Sequence, residues 1–171
     1  MKKILFFISL FLLSFSQGQN ITAKLNEINF QGSSIPYYTF KYNNQLIFTA
    51  ENPGTGRELW NYDFVTGKSK LVKDIFPFSN SGLDSDPHFN ILNGKVFFIG
   101  RSNSSNYWLF STDGTETGTE YIFPFPSGLS FIQDVALAGN KIYFLMNYQL
   151  WVSDGTNSGT KILKTFGSYT S

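Results

Sequence analysis

Cysteine is absent from all 171 residues, and histidine occurs once, at His88. Without cysteine there is no disulfide framework and no lipid anchor through a cysteine at a cleavage site, so the fold must stand on its core. One histidine cannot build a multi-histidine metal site, and a zinc centre or Ser/His relay would hang on that single ring. At the start of a strand, beside Pro87, His88 reads as a structural or solvent-facing residue. Charge is balanced: 13 Lys and Arg against 12 Asp and Glu give a net charge of +1. The lack of a basic cluster argues against nucleic acid as a partner, because phosphate backbones need a positive surface. Beyond the N-terminus no apolar run is long enough to span a bilayer.

The N-terminal run has a different meaning. Lys2 and Lys3 precede an almost unbroken apolar stretch, Ile4 to Phe15, and Ser16-Gln17-Gly18 supplies the small residues of a cleavage site. This is the pattern of a secretory signal peptide over residues 1–18, too short for a helix across a hydrocarbon core of ~30 Å. The expected location is therefore outside the cell, secreted or at the cell surface. Cleavage removes two lysines and no acid, leaving 11 basic against 12 acidic side chains. Residues 19–35 form a polar N-terminal segment.

What the chain has in abundance is aromatic residues, 18% of the whole, with 19 Phe. Such side chains favour strands and bury large areas. Three segments repeat. Asn43-Asn44-Gln45-Leu46-Ile47-Phe48 matches Asn93-Gly94-Lys95-Val96-Phe97-Phe98 and Gly139-Asn140-Lys141-Ile142-Tyr143-Phe144. Each is a two-residue turn followed by a β-branched or aromatic strand, a hairpin signal. Downstream, Leu59-Trp60-Asn61-Tyr62-Asp63 matches Leu109 to Asp113 and Leu150 to Asp154, and eight residues after each aspartate another apolar strand is under way. Adding the strand before each turn (Tyr37–Tyr42, His88–Leu92, Ile132–Ala138) gives four-stranded units over 36–78, 87–125 and 131–166. A period of about 40–50 residues with four strands is that of propeller blades. The expected fold is all-β: three four-stranded antiparallel β-propeller-like blades within residues 36–171, an incomplete propeller. A β-sandwich is the alternative, and the repeat disfavours it.

The repeated turns are the candidate site residues. Asp113-Gly114-Thr115 with Gly118, and Asp154-Gly155-Thr156 with Gly159, join two strands each. An aspartate accepts hydrogen bonds from amides two or three residues ahead, glycine supplies positive φ, and threonine bonds the backbone locally. These residues read as structural repeat turns. In the first repeat Asp63 is followed by Phe64-Val65, and a turn that tolerates this loss is architectural before it is catalytic. A calcium ion needs six to eight oxygens, more than one such loop offers. No cofactor and no metal is expected.

Arg57-Glu58-Leu59-Trp60, Leu71-Val72-Lys73-Asp74-Ile75 and Gln149-Leu150-Trp151-Val152-Ser153-Asp154-Gly155-Thr156 resemble the ELWxxDGT repeat proteins. The resemblance covers residues 36–166. It implies a secreted bacterial protein with propeller-forming repeats, and it carries no catalytic residues over. Phe110 stands where the family has Trp, and Gln149 where it has Glu.

Other constellations are weaker. The sialidase Asp-box spaces its Asp and Gly by one residue, whereas Asp113-Gly114 and Asp154-Gly155 are adjacent, and only Arg57 and Arg101 could bind a substrate carboxylate. Glycoside hydrolysis needs two facing carboxyl groups, and the spacing of Glu51, Glu58, Asp84, Asp86 and Asp134 pairs none of them; they read as acidic loops on a solvated surface. The aromatics near loops (Tyr107, Trp108, Tyr148, Phe64) read first as core or inter-blade packing; for stacking on sugars, Tyr107 and Trp108 are better candidates than Trp60 and Trp151, which should be buried between blades. The expected function is non-enzymatic: a binding, adhesion or scaffolding module for a surface glycan or a protein. The rival is a secreted hydrolase whose active site lies outside this chain. Three blades are too few to close a ring, so further blades, copies of the chain or capped ends are required.

Overall fold

The computed structural model describes residues 34–84, 86–104, 106–128 and 132–167. The expected signal peptide and most of the N-terminal segment lie outside them. Among the described residues there are twelve strands and no helix. Blade 1 contains β1 (Tyr37–Tyr42), β2 (Gln45–Asn52), β3 (Gly56–Asp63) and β4 (Lys68–Lys73). Blade 2 contains β5 (Asn90–Leu92), β6 (Lys95–Arg101), β7 (Tyr107–Thr112) and β8 (Glu120–Pro124). Blade 3 contains β9 (Ile132–Ala138), β10 (Lys141–Met146), β11 (Gln149–Ser153) and β12 (Lys161–Thr165). Each blade is an antiparallel meander in chain order, and the three sheets do not close into a barrel.

Strand register makes the blades equivalent residue by residue. Phe48 pairs with Trp60, Phe98 with Phe110, and Phe144 with Trp151. Side chains alternate across a strand, so each blade has a rear face carrying these pairs and a forward face carrying their neighbours. Ile47, Leu59 and Val72 on the forward face of blade 1 meet Val96, Phe98 and Phe110 on the rear face of blade 2. Phe97, Ile99 and Leu109 on the forward face of blade 2 meet Ile142, Phe144 and Trp151 of blade 3 in the same way. Both faces of the middle sheet are thus buried, which explains why Val96-Phe97-Phe98-Ile99 is apolar without alternation. Each buried aliphatic or aromatic side chain contributes roughly 1.5–3 kcal/mol.

Two features differ from expectation. The first strand of blade 2 is only Asn90–Leu92, because His88 has φ 54° and breaks the strand; pairing resumes beyond it, where Ile99 N–H donates to the Pro87 carbonyl at 2.9 Å. Trp151 is buried between blades 2 and 3, but Trp60 packs half-buried on the rear face of blade 1 beside Phe48, Ala50 and Tyr62.

Candidate functional site

The meanders give every blade two ends. One holds the Asn-Gly-type hairpins and the aspartate turns; the other holds the β2–β3, β6–β7 and β10–β11 turns and the connectors between blades.

At the turn end, the aspartates are consumed by their own loops. Asp113 Oδ1 accepts from Thr115 N–H at 2.9 Å and from Thr115 Oγ1 at 2.6 Å. Gly118 N–H donates to Thr115 Oγ1 at 3.0 Å, and Thr119 Oγ1 to the Thr115 carbonyl at 2.6 Å. The third blade repeats this bond for bond. Asp154 Oδ1 accepts from Thr156 N–H and Oγ1 at 2.9 and 2.7 Å, and Gly159 N–H donates to Thr156 Oγ1 at 3.0 Å. The hydroxyl bonds hold the Asp113 and Asp154 carboxyls below the usual aspartate range. Asp63 accepts from Val65 and Thr66 N–H at 2.7 and 3.0 Å, a simpler turn closed by Gly67.

These turns also join blades. Gln45 Nε2 donates to the Asp113 carbonyl at 3.0 Å and Asn61 Nδ2 to the Gly114 carbonyl at 2.9 Å. A polar cleft of about 300 Å³ between blades 1 and 2 is lined here by Gln45, Asn61, Asp63, Gly114 and Thr115, with much of its bonding capacity already spent across the blade junction. Gly114 and Gly155 have φ of 86° and 92°; a Cβ would come within 2.2 Å of the Gln45 amide and 2.8 Å of the Phe97 ring, each on the preceding blade. The glycine after the aspartate is therefore an inter-blade contact as well as a turn residue.

The connector end is built differently. Glu58, read from the sequence as a surface acid, is 0% exposed. Its carboxyl accepts from the N–H groups of Ile75, Phe76 and Gly82 at 2.8, 3.3 and 2.7 Å, tying β3 to the connector that leads into blade 2. A Cβ on Gly82 would meet both Glu58 oxygens at 2.7 Å, so glycine permits that approach. Burial pushes the Glu58 carboxyl up to about 8, against the pull of the three amides, and the nearby Asp74 adds to the rise. Asp84 is likewise paired: Arg101 donates to both its oxygens at 2.6 and 2.8 Å, and Tyr107 Oη donates to Oδ2 at 2.8 Å. Glu51 pairs with Arg57.

Tyr107 and Trp108 are accordingly not free to stack on a sugar. Tyr107 is buried in the Asp84–Arg101 network, and Trp108 is half-buried with its ring against Tyr121 at 5.3 Å. Among the described residues the aromatics exposed at this end include Tyr37, Tyr38, Phe78, Tyr148 and Phe166; Phe64 and Tyr121 are exposed elsewhere.

One cleft brings chemistry from all three blades together. It holds about 290 Å³ along the innermost strands and is lined by Tyr38 and Phe40 of blade 1, Asp86, His88 and Asn90 at the start of blade 2, and Val135 of blade 3. Tyr38 and His88 occupy equivalent positions, two residues before Phe40 and Asn90, which pair with Ile47 and Phe97. Both are left-handed, with φ of 48° and 54°, a conformation that costs a non-glycine residue about 1–3 kcal/mol. Asp86 Oδ1 accepts from His88 N–H at 2.9 Å, and Oδ2 lies 3.6 Å from His88 Nδ1. Asn90 Nδ2 donates to the His88 carbonyl at 3.0 Å. Nothing in the sequence marked this site: the backbone bulge that aims Tyr38 and His88 has no residue signature, and glycine, its usual signal, is absent at both positions. Among the described residues no three His, Asp or Glu side chains come together as a metal-binding group, and no helix is long and apolar enough to cross a membrane.

No family model matches the chain, and no curated protein matches it.

Proposed function

We propose that this chain is an exported, non-catalytic binding module of the ELWxxDGT repeat kind that takes an extracellular glycan in the cleft along its innermost strands. The observation that carries this is the pair of left-handed residues, Tyr38 and His88, at matching positions of two blades and lining one cleft. Backbone strain of this kind clusters at ligand sites, where surrounding structure holds it in place. The lining suits a sugar: the Tyr38 and Phe40 rings offer apolar faces for C–H groups, while His88, Asp86 and Asn90 offer donors and acceptors for hydroxyls. The signal-like N-terminus and the near-neutral charge fit an extracellular, non-nucleic-acid ligand.

The test is a screen of the purified chain against a glycan array and against insoluble polysaccharides, repeated with Tyr38→Ala and His88→Gly. The expected result is binding by the parent chain that either substitution abolishes, with the urea midpoint of His88→Gly unchanged or raised because glycine relieves the left-handed strain. Equal binding by all three chains, or binding to a protein and to no glycan, would overturn the assignment.

A further inference from the structure

The blades stack with a direction, and the third blade ends the described stack on an apolar forward face. In blade 1 the forward positions Ile47, Leu59, Val72 and Ile75 are 0–2% exposed, and in blade 2 Phe97, Leu109 and Phe125 are 1–5% exposed. Register assigns their third-blade counterparts. Tyr143 pairs with Val152 and Leu145 with Leu150 on this face, while Leu163 follows on the last strand and Phe166 just beyond it. Phe125 N–H donates to the Tyr107 carbonyl at 2.9 Å and Phe166 N–H to the Tyr148 carbonyl at 2.8 Å, which fixes that equivalence. Val152 is buried at 4%, yet Leu163 is 50% and Phe166 46% exposed, and Tyr143, Leu145 and Leu150 are only half-buried. Lysine is repeated too. Lys73, opposite Leu59, donates to the Thr119 carbonyl of blade 2 at 2.8 Å and stands 5.8 Å from the Tyr121 ring; Lys164, opposite Leu150, stands at the same point of blade 3.

We propose that this face docks a further four-stranded blade of the same repeat, one bearing its own Asp-Gly-Thr turn, rather than a second copy of this chain. Two junctions already show an apolar forward face and a glycine turn laid against the preceding blade; the first adds the lysine reaching a turn carbonyl, while the second has Phe123 at that position and Asn157 Nδ2 donating to the Ile122 carbonyl at 2.9 Å. A second copy would have to offer the rear face of its first blade. There Phe48 and Ala50 are already 0% exposed. Its turn also carries Phe64 where docking uses glycine, and that ring packs edge-on against Tyr62 of its own blade, centroids 5.5 Å apart.

The experiment joins a duplicate of residues 126–166 to the C-terminus of the full chain. It follows the urea midpoint and the fluorescence of an apolar-surface dye, alongside sedimentation of the parent. The parent is expected to sediment as a monomer and to bind dye; the added blade should raise the midpoint and reduce the dye signal. Two variants separate docking from folding. Replacing the added blade's turn glycine by Phe, as in the first repeat, should restore the parent's dye signal. Leu163→Glu in the original third blade, an exposed position, should leave the parent's midpoint unchanged but abolish the gain from the added blade. An added blade that leaves dye binding undiminished, or a parent that dimerises until Leu163→Glu splits it, would overturn the proposal.

Discussion

The two ends of these blades solve the same problem, satisfying backbone groups where strands reverse, by opposite means. At the turn end the solution is local and repeated: an aspartate, a threonine and two glycines close a loop on themselves, and the Asp113 and Asp154 turns agree in four bonds to within 0.1 Å. At the connector end it is long-range and particular to each blade. Glu58 gathers three amides from a segment 17 to 24 residues away, and blade 2 has Trp108 and blade 3 Gln149 at the matching position. Repetition marks the turn that the second and third blades share; individuality marks the end where the connectors between blades differ.

The largest effect expected from breaking this contrast is at Glu58. Glu58→Ala leaves two buried N–H groups and one part-buried N–H without an acceptor, and at about 1–3 kcal/mol for each buried group the loss should be about 3 kcal/mol or more in urea unfolding. Its pH dependence has a definite sign. A carboxyl raised from 4.5 to about 8 binds its proton more tightly in the folded state. Its contribution is therefore full below the unfolded value and declines as pH rises toward 8. Stability measured between pH 5 and 8 should fall with pH, and Glu58→Gln should flatten that slope while costing one hydrogen bond. The turn aspartates act in the other direction: their lowered carboxyls contribute above the ordinary aspartate range and lose that contribution as pH drops through it.

Next in size is Gly114→Ala, which forces a Cβ into the Gln45 amide at a φ of 86°. About 1–3 kcal/mol is expected, read as a lower urea midpoint. The matching change of Phe64 to Ala in the first blade, whose ring is 41% exposed, should cost markedly less. A smaller loss follows Asp113→Ala: the turn's bonds are water-exposed, so about 0.5–1 kcal/mol is expected.

This contrast also explains what could be read from the chain. Residues whose partners are close in sequence were legible: the Asn-Gly hairpins, the aspartate turns, the twelve strands and their grouping by four. Glu58 was not, because its partners lie in an irregular connector and a lone glutamate carries no sign of burial. The burial of Tyr107 agrees with packing as the first reading of the loop aromatics, but its hydroxyl's partner, Asp84, lies in another segment and left no sign in the sequence. His88 was placed at a strand start, which is right to within two residues, but its left-handed backbone depends on a bulge set by the partner strand.

The smallest expected effect on stability carries the largest on function. Tyr38→Ala with His88→Gly removes one exposed ring and one strained residue, so the unfolding free energy should stay within about 0.5 kcal/mol of the parent, while glycan binding is lost. The decisive measurement sets this double variant beside Asp113→Ala with Asp154→Ala in one binding assay against the parent's best glycan. The connector-end variant should lose binding at undiminished stability, and the turn-end variant should keep binding at lowered stability. Loss of binding in the turn-end variant, with the connector-end variant still bound, would show that the aspartate turns hold the ligand and that the two ends have been assigned the wrong way round.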